Sequence, residues 1–413
     1  MKKIILVTLF LGLFYQYSRA QDRFFVIQAK DSLQGKPRFT SSFGANIKLN
    51  GYLDLFGGLQ DNETFNVGLI NVFGTDDKAS LHIDMYQTQL IFETDLITSN
   101  GKQIKAVVES DFWGGNGVIR LRKAYVETDH WQIGQNWHNF GDEKIWPNIM
   151  EWEGPPSGVW LRIPHIKYKN TLNDKRYIYE ISLEAPLNDY NPFKDLEPFV
   201  KETDQFTPDL TAAMRYIEPW GHLRLSSVLR HIRYSLQGEE DSFMGYGFSF
   251  SGLYSPLESR DNLQFQLVAG KGITAFMTSI AGQGYDGYPN MEGDFSATPV
   301  FGGWSSYEYF ITPKVHANAV IGYTNFNIKE ASRYILLPNL EISDVYLNGR
   351  LKHEHYYGIL NMMYDPYERM TVGIELDYGV KMLDGEGTIN QQFLKNKKSR
   401  DAMRISFGFI FYL

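Results

Sequence analysis

The sequence predicts an all-β chain: a transmembrane, antiparallel up-and-down barrel of about 16 strands, with the third outer loop folded inward. Three observations predict it. The chain ends Ile405-Ser406-Phe407-Gly408-Phe409-Ile410-Phe411-Tyr412-Leu413. Alternate strand residues face opposite sides, so Ile405, Phe407, Phe409, Phe411 and Leu413 form one apolar stripe suited to lipid. A secretory leader stands at the other end. Between the two, strand-like segments are joined by connections that alternate between short and long, as in a barrel with tight periplasmic turns and longer outer loops.

The leader begins with basic Met1-Lys2-Lys3, continues as an apolar run from Ile4 to Tyr15, and ends in Ser18-Arg19-Ala20 before Gln21. That is a cleavable signal peptide, with an apolar run too short for a membrane-spanning helix. The expected division is therefore residues 1–20 as signal peptide, 21–45 as a short periplasmic lead-in and 46–413 as the barrel. Such an export route points to the bacterial outer membrane. Losing Lys2, Lys3 and Arg19 moves the net charge from −8 to −11. With no basic patch evident, nucleic acid is not an expected partner. There is no cysteine, which excludes disulfides and thiol chemistry. Aromatics make up 15% of the chain, with 26 Tyr and 28 Phe, while mean hydropathy is −0.31. A polar average with abundant aromatics suits a barrel whose two faces differ.

Candidate strands run, in order, over Asn46–Gly58, Ala79–Leu96, Gln103–Phe112, Val118–Glu127, His130–Trp137, Val159–Lys169, Arg176–Leu183 and Asp209–Ile217. They continue over Gly221–Tyr234, Phe243–Tyr254, Leu263–Ala275, Val300–Ile311, Lys314–Asn325, Leu351–Tyr364, Arg369–Leu383 and Ala402–Leu413. Tyr168, Tyr177, Tyr179, Tyr216, Trp220, Tyr254, Phe310, Tyr364, Tyr367 and Tyr412 crowd the tight turns. Amphipathic rings prefer the headgroup level, so these read as an interfacial girdle.

A barrel of this size encloses water, and its inward charges become the pore wall. Arg120 and Arg122 share one strand face, with Ile119, Leu121 and Tyr125 expected on the other. Arg224 and Arg230 share another face, and Arg162, Arg215 and Arg404 are further candidates. An arginine facing lipid costs about 2–4 kcal/mol at the bilayer midplane, which argues for the inward direction. Acids come from Glu109 and Asp111 and from the loop carrying Asp142, Glu143, Glu151 and Glu153. An acidic loop across from a basic wall would set up a transverse field; ordinary solvated lumen charge is the plainer alternative. The same loop region holds Trp137, Trp146, Trp152 and Trp160, beside Pro147, Pro155 and Pro156. So many large apolar groups need a surface to pack on, either the lumen wall or a neighbouring subunit.

The run Ile119-Arg120-Leu121-Arg122-Lys123-Ala124-Tyr125-Val126-Glu127, then Ile133-Gly134-Gln135-Asn136-Trp137-His138-Asn139-Phe140-Gly141-Asp142, resembles the DcaP-like outer-membrane porins. So do Glu109-Ser110-Asp111-Phe112, Trp146-Pro147-Asn148 and Glu153-Gly154-Pro155-Pro156-Ser157-Gly158. The motifs cover residues 105 to 165. The resemblance implies a homotrimer of 16-stranded barrels with an inward third loop and a channel for small anionic solutes such as dicarboxylates. Arg120 and Arg122 fall on matching positions, and so does Asp142, the acid after the Gly-Gln-x-Trp strand.

Two rival functions stand beside this one. A barrel lipase or protease would need a serine–histidine pair with an orienting acid, and no Gly-x-Ser-x-Gly elbow is present. A loop-mediated receptor or adhesin is the other. No cofactor or metal is expected. His353-Glu354-His355 puts two imidazoles on one strand face, and Asp286 to Asp294, with Asn290 and Glu292, is a loop of calcium-binding composition. Incidental placement is the better reading of both.

Overall fold

The computed structural model describes residues 25–413 except 34, 60–63, 76, 116, 188, 190–199, 237–238, 290–294, 332–333, 337–341, 345–348, 386 and 390–391. The leader, and Asn290, Glu292 and Asp294 of the acidic loop, lie outside the described residues.

Sixteen antiparallel strands close into one cylinder. They are β1 (Phe39–Phe56), β2 (Ser80–Asp84, resuming as Gln89–Ile97), β3 (Gln103–Asp111), β4 (Arg120–Glu127), β5 (Trp131–Trp137) and β6 (Arg162–Leu172). Then come β7 (Tyr177–Glu184), β8 (Asp209–Glu218), β9 (Gly221–Leu236), β10 (Glu239–Tyr254) and β11 (Asn262–Lys271). The last are β12 (Pro299–Thr312), β13 (Val315–Ala331), β14 (Gly349–Tyr364), β15 (Met370–Gly385) and β16 (Lys398–Tyr412). Each pairs with its sequence neighbours, and β16 closes on β1 with Phe411 opposite Ile47.

The first strand begins at Phe39 rather than at Asn46, and the lead-in is not a loose tail over its described part. Leu413 and Ala45 exchange both backbone hydrogen bonds, at 2.7 and 3.2 Å. β1 runs on past that point. A short strand, Phe25–Gln28, then pairs with Phe43–Thr40 in the line that β16 has left. It supplies partners to backbone groups that the end of β16 would otherwise leave as an open edge.

Alternation makes the protein inside-out. Along β15, Val372, Ile374, Leu376 and Tyr378 are exposed on the outside, whereas Glu375 is 1% and Asp377 0% exposed. β16 repeats this, with Arg404 and Ser406 buried between outward Ile405 and Phe407. Aromatic pairs mark both rims. Trp131 meets Tyr168 at 5.1 Å, Tyr177 meets Tyr216 at 5.1 Å and Trp220 meets Tyr254 at 6.0 Å beside the tight turns. Tyr323 meets Tyr356 at 5.0 Å near the outer end. Tyr356 and Tyr364 bracket the apolar band on β14. At about 3.3 Å per residue and a tilt of about 40°, they stand roughly 20 Å apart along the axis, close to the ~25 Å expected.

Three outer loops fold into the cylinder and pack there. Phe140 and Val159 of the third loop join Phe276, Met277 and Ile280 of the sixth against Val228, Ile232, Phe326 and Ile328 of the wall. Phe65, Val67 and Ile70 of the first loop meet Ile149, Val320, Tyr357 and Ile359. Backbone bonds lock the loops together: Thr278 N–H to Gly158 C=O and Ser279 N–H to Pro156 C=O, both at 3.0 Å. Two wall glycines admit the third loop. A Cβ at Gly302 would lie 2.6 Å from Ser157 Cβ, and one at Gly322 would lie 2.9 Å from Pro156 Cδ.

At the outer rim the buried Asp189 carboxylate accepts Gly284 N–H at 2.5 Å and Gly282 N–H at 3.0 Å, tying the fourth loop to the sixth. Burial, with Asp286 nearby, holds this carboxyl up at about 7. A raised acid keeps its proton in the folded state. Its contribution is therefore fully present below the ordinary carboxylate range and is lost as pH rises through about 7. Protease nicking within residues 272–289 should increase from about pH 6 to about pH 8, and Asp189→Asn should flatten that rise. An unchanged pH profile in the variant would refute it.

Candidate functional site

The basic wall rests on an irregularity between β3 and β4. Glu109 pairs with Lys123 and Ser110 with Leu121, so Arg122 has no residue opposite. Such a bulge turns two successive side chains to one face and inverts the phase beyond. Arg122 and Lys123 both point inward, Tyr125 lines the lumen, and Val126 is exposed outside. This corrects the expectation that Tyr125 would share the lipid face with Ile119 and Leu121. Arg120 grips Asp111 with two bonds, at 3.0 and 2.7 Å. Arg122 bonds Glu109 at 2.6 Å and Asp111 at 2.9 Å, and Lys123 bonds Glu109 at 2.7 Å. Three cations thus stand over two acids.

Across from this patch sits Trp152 of the third loop. The Arg122 guanidinium lies 4.4 Å and Lys48 Nζ 5.5 Å from its ring centre, and Trp113 stacks on it at 6.1 Å. A second aromatic row, Trp137–Trp146–Trp160–Trp304, crosses from the loop to the far wall with spacings of 6.0, 4.3 and 5.4 Å. Trp146, Trp160 and Trp304 therefore pack inside the barrel, with Trp137 of β5 against their end.

The third loop is held at both ends. Near its root, Asp142 accepts from Arg215 at 2.8 Å, from His222 Nε2 and Ser251 Oγ at 2.9 Å each, and from Lys144 N–H at 3.2 Å. Burial alone would raise this carboxyl, but Arg215 and His222 outweigh it and hold it well below the usual range. Arg224 clamps Asn139 C=O at 2.7 Å and Glu180 at 3.0 Å. At the tip, Glu375 receives Met150 N–H at 2.8 Å and Glu151 N–H at 2.7 Å, and Lys48 donates to Met150 C=O at 2.9 Å. Glu151 in turn accepts Phe65, Trp152 and Glu153 N–H groups at 3.0, 2.8 and 3.1 Å. Its burial keeps it above the ordinary carboxylate range despite Arg404. The loop is a fixed crossbeam.

The predicted residues therefore sort differently than expected. Arg120, 34% exposed, and Arg122, 4% exposed between Glu109, Asp111 and the Trp152 ring, both point to the lumen side of β4. Arg215 and Arg224 face inward but are buried as anchors. Arg230, 1% exposed, bonds Asp286 at 2.6 Å, Asp209 at 3.1 Å and Leu187 C=O at 2.9 Å, and so holds the outer loops rather than a solute. Arg404 is bidentate on Asp54 at 2.7 and 3.0 Å. Arg162 lies over Trp137 at 4.6 Å, opposite it in the β5–β6 register and in the strand phase opposite to buried His165 and Lys167, so alternation does not put it on the lumen wall as expected. Asp142 and Glu151 are buried anchors and cannot supply the exposed acidic side of a transverse field. Glu143 is exposed, and Glu153, Trp146 and Trp152 are half-buried.

Sequence reasoning missed His222, Ser251, Lys48, Lys123 and Glu375. Strand alternation could have placed Lys48 and Glu375; nothing local marks the bulge that turns Lys123. Ser251 and His222 both bond the same Asp142 oxygen, so no imidazole stands between serine and acid, and the serine is not activated. His353 stacks on Phe326 at 4.1 Å, and His355 bonds Ser279 at 3.1 Å. Among the described residues no group of three His, Asp or Glu could hold a metal.

No protein-family model matches the chain, and neither does any curated protein. Solved structures do. The outer membrane channel DcaP of Acinetobacter baumannii superposes with a TM-score of 0.67 at 16% identity, over 92% of this chain and 99% of that one. The anion-selective porin from Comamonas acidovorans gives 0.55 at 9% identity, over 91% and 100%. OmpT, an outer membrane protein of Vibrio cholerae, gives 0.53 at 8% identity, over 93% and 100%. At these identities the likeness establishes the fold: a porin-type barrel over nearly the whole chain.

Proposed function

We propose that this chain is a bacterial outer-membrane porin, exported by a cleaved leader and assembled as a homotrimer. It lets small hydrophilic anions, dicarboxylates among them, diffuse passively through the lumen. The observation that carries the reading is the inward patch of Arg120, Arg122 and Lys123 over Glu109 and Asp111, which leaves one net positive charge beside the crossbeam. A local positive potential concentrates anions and repels cations. The likeness to a DcaP channel and to a porin named as anion-selective supports the same direction.

Planar-bilayer recording of the folded protein across a salt gradient tests it. Stepwise openings with a reversal potential on the anion side are expected. Silence, or cation preference, would refute it.

A further inference from the structure

Beside the cation patch, the wall of β1–β4 opens into a cavity of about 270 Å³. Strand register fixes what faces it. One inward row runs Ile91–Glu109–Lys123 across β2, β3 and β4, and the next runs Glu93–Val107–Tyr125. The bulge adds Arg122 to the first row. Two carboxylates and two cations therefore share one alcove. Glu109 is bound by Arg122 at 2.6 Å and Lys123 at 2.7 Å, while Glu93 is bound by Lys105 at 2.8 Å.

Rows two residues apart on a strand stand about 6.6 Å apart. Glu93 is thus offset from the Arg122–Lys123 pair by one row along the strands and, with β3 between them, by two strand spacings, roughly 9.6 Å. Counting only the side chains that line it, the alcove holds as many carboxylates as cations, with Lys105 as the partner of Glu93. A molecule that carries both charges meets a partner at each end. Pockets for drug-sized ligands span roughly 300–1,000 Å³, so this cavity suits something smaller.

We propose that the alcove is a binding subsite for small zwitterions of the α-amino-acid type. The carboxylate meets Arg122 and Lys123, and the ammonium meets Glu93. This rests on the lumen being a solute passage, and it adds a second class of solute to the anions drawn by the net-positive patch.

Three matched probes test it on the detergent-purified full-length protein, with folding checked by heat-modifiable migration. L-alanine carries both charges, L-lactate lacks the ammonium, and L-alaninamide lacks the carboxylate. Titration calorimetry should show alanine binding about tenfold more tightly than either, since a charge-assisted contact to one end is lost in each analogue. Glu93→Gln should abolish the preference over lactate, and Lys123→Gln should weaken the preference over alaninamide. Equal binding of all three probes, no binding of alanine, or a lactate preference ratio untouched by Glu93→Gln would overturn the proposal. The three-probe comparison on the unaltered chain decides even where a variant fails to fold. Reversal potentials on the same preparation separate the two readings: anion-selective openings with equal probe binding sink the alcove alone.

Discussion

Replacing Asp142 with alanine is expected to cost the barrel about 3–5 kcal/mol and to release the root of the third loop. Four donors converge on this carboxylate: Arg215, His222, Ser251 and the Lys144 backbone. Alanine leaves Arg215 buried with no anion, and removing one partner of a buried pair costs far more than the net worth of the pair. Because Arg215 and His222 hold the Asp142 carboxyl below its ordinary range, the anchor's contribution is present above the unfolded carboxylate value. It is lost only as pH falls through the lower folded one, so mild acid should leave the loop in place.

Two measurements check this. The temperature at which the folded band converts to the unfolded one should drop for Asp142→Ala. It should stay within experimental scatter for Glu143→Ala, whose side chain is already exposed. Trypsin should then cut after Lys144 in the first variant and spare the second. A conversion temperature shared by both variants, with no new fragment, would show that Asp142 anchors nothing.

The architecture could be read from the chain because it depends on periodicity. The stripe at Ile405 to Leu413 and the alternating connection lengths are local signals, and they suffice for an even-stranded meander. The inward direction of Arg120 and Arg122 follows from the same period of two. What failed was everything set by partners distant in sequence. Asp142 was read as a lumen acid because nothing near it in the chain announces Arg215 or His222, which arrive from β8 and β9. Arg230 was read as pore wall because its cover, Asp286 and Leu187, comes from two loops that fold back over it. Tyr125 was misplaced because one unpaired residue, Arg122, shifts the phase, and a bulge leaves no mark on composition. Tryptophan crowding around Trp146 and Trp152 did signal an inward loop. It could not say that the loop is pinned at Glu375 on the opposite wall.

Neutralising Arg120 and Arg122 together should remove the anion preference and push the channel toward cations. In the native patch three cations face two acids; with both arginines changed to glutamine, Lys123 alone faces Glu109 and Asp111. The net local charge moves from one positive to one negative. A unit charge about 5 Å away contributes roughly 0.8 kcal/mol in water, so a two-charge swing amounts to about 1.7 kcal/mol, or more than tenfold in the anion-to-cation ratio. Screening supplies the control. The Debye length is about 10 Å at 0.1 M salt and about 3 Å at 1 M, so the effect should be large in dilute salt and mostly gone in concentrated salt. A preference that depends on pore width alone would not respond to ionic strength in this way. The variant must still fold, since Asp111 loses both its guanidinium partners, and heat-modifiable migration reports that separately. Reversal potentials that stay anionic in the folded double variant at 0.1 M would place the selectivity elsewhere in the lumen. Lys48 on β1 would then be the next residue to replace, because its Nζ lies 5.5 Å from the same Trp152 ring.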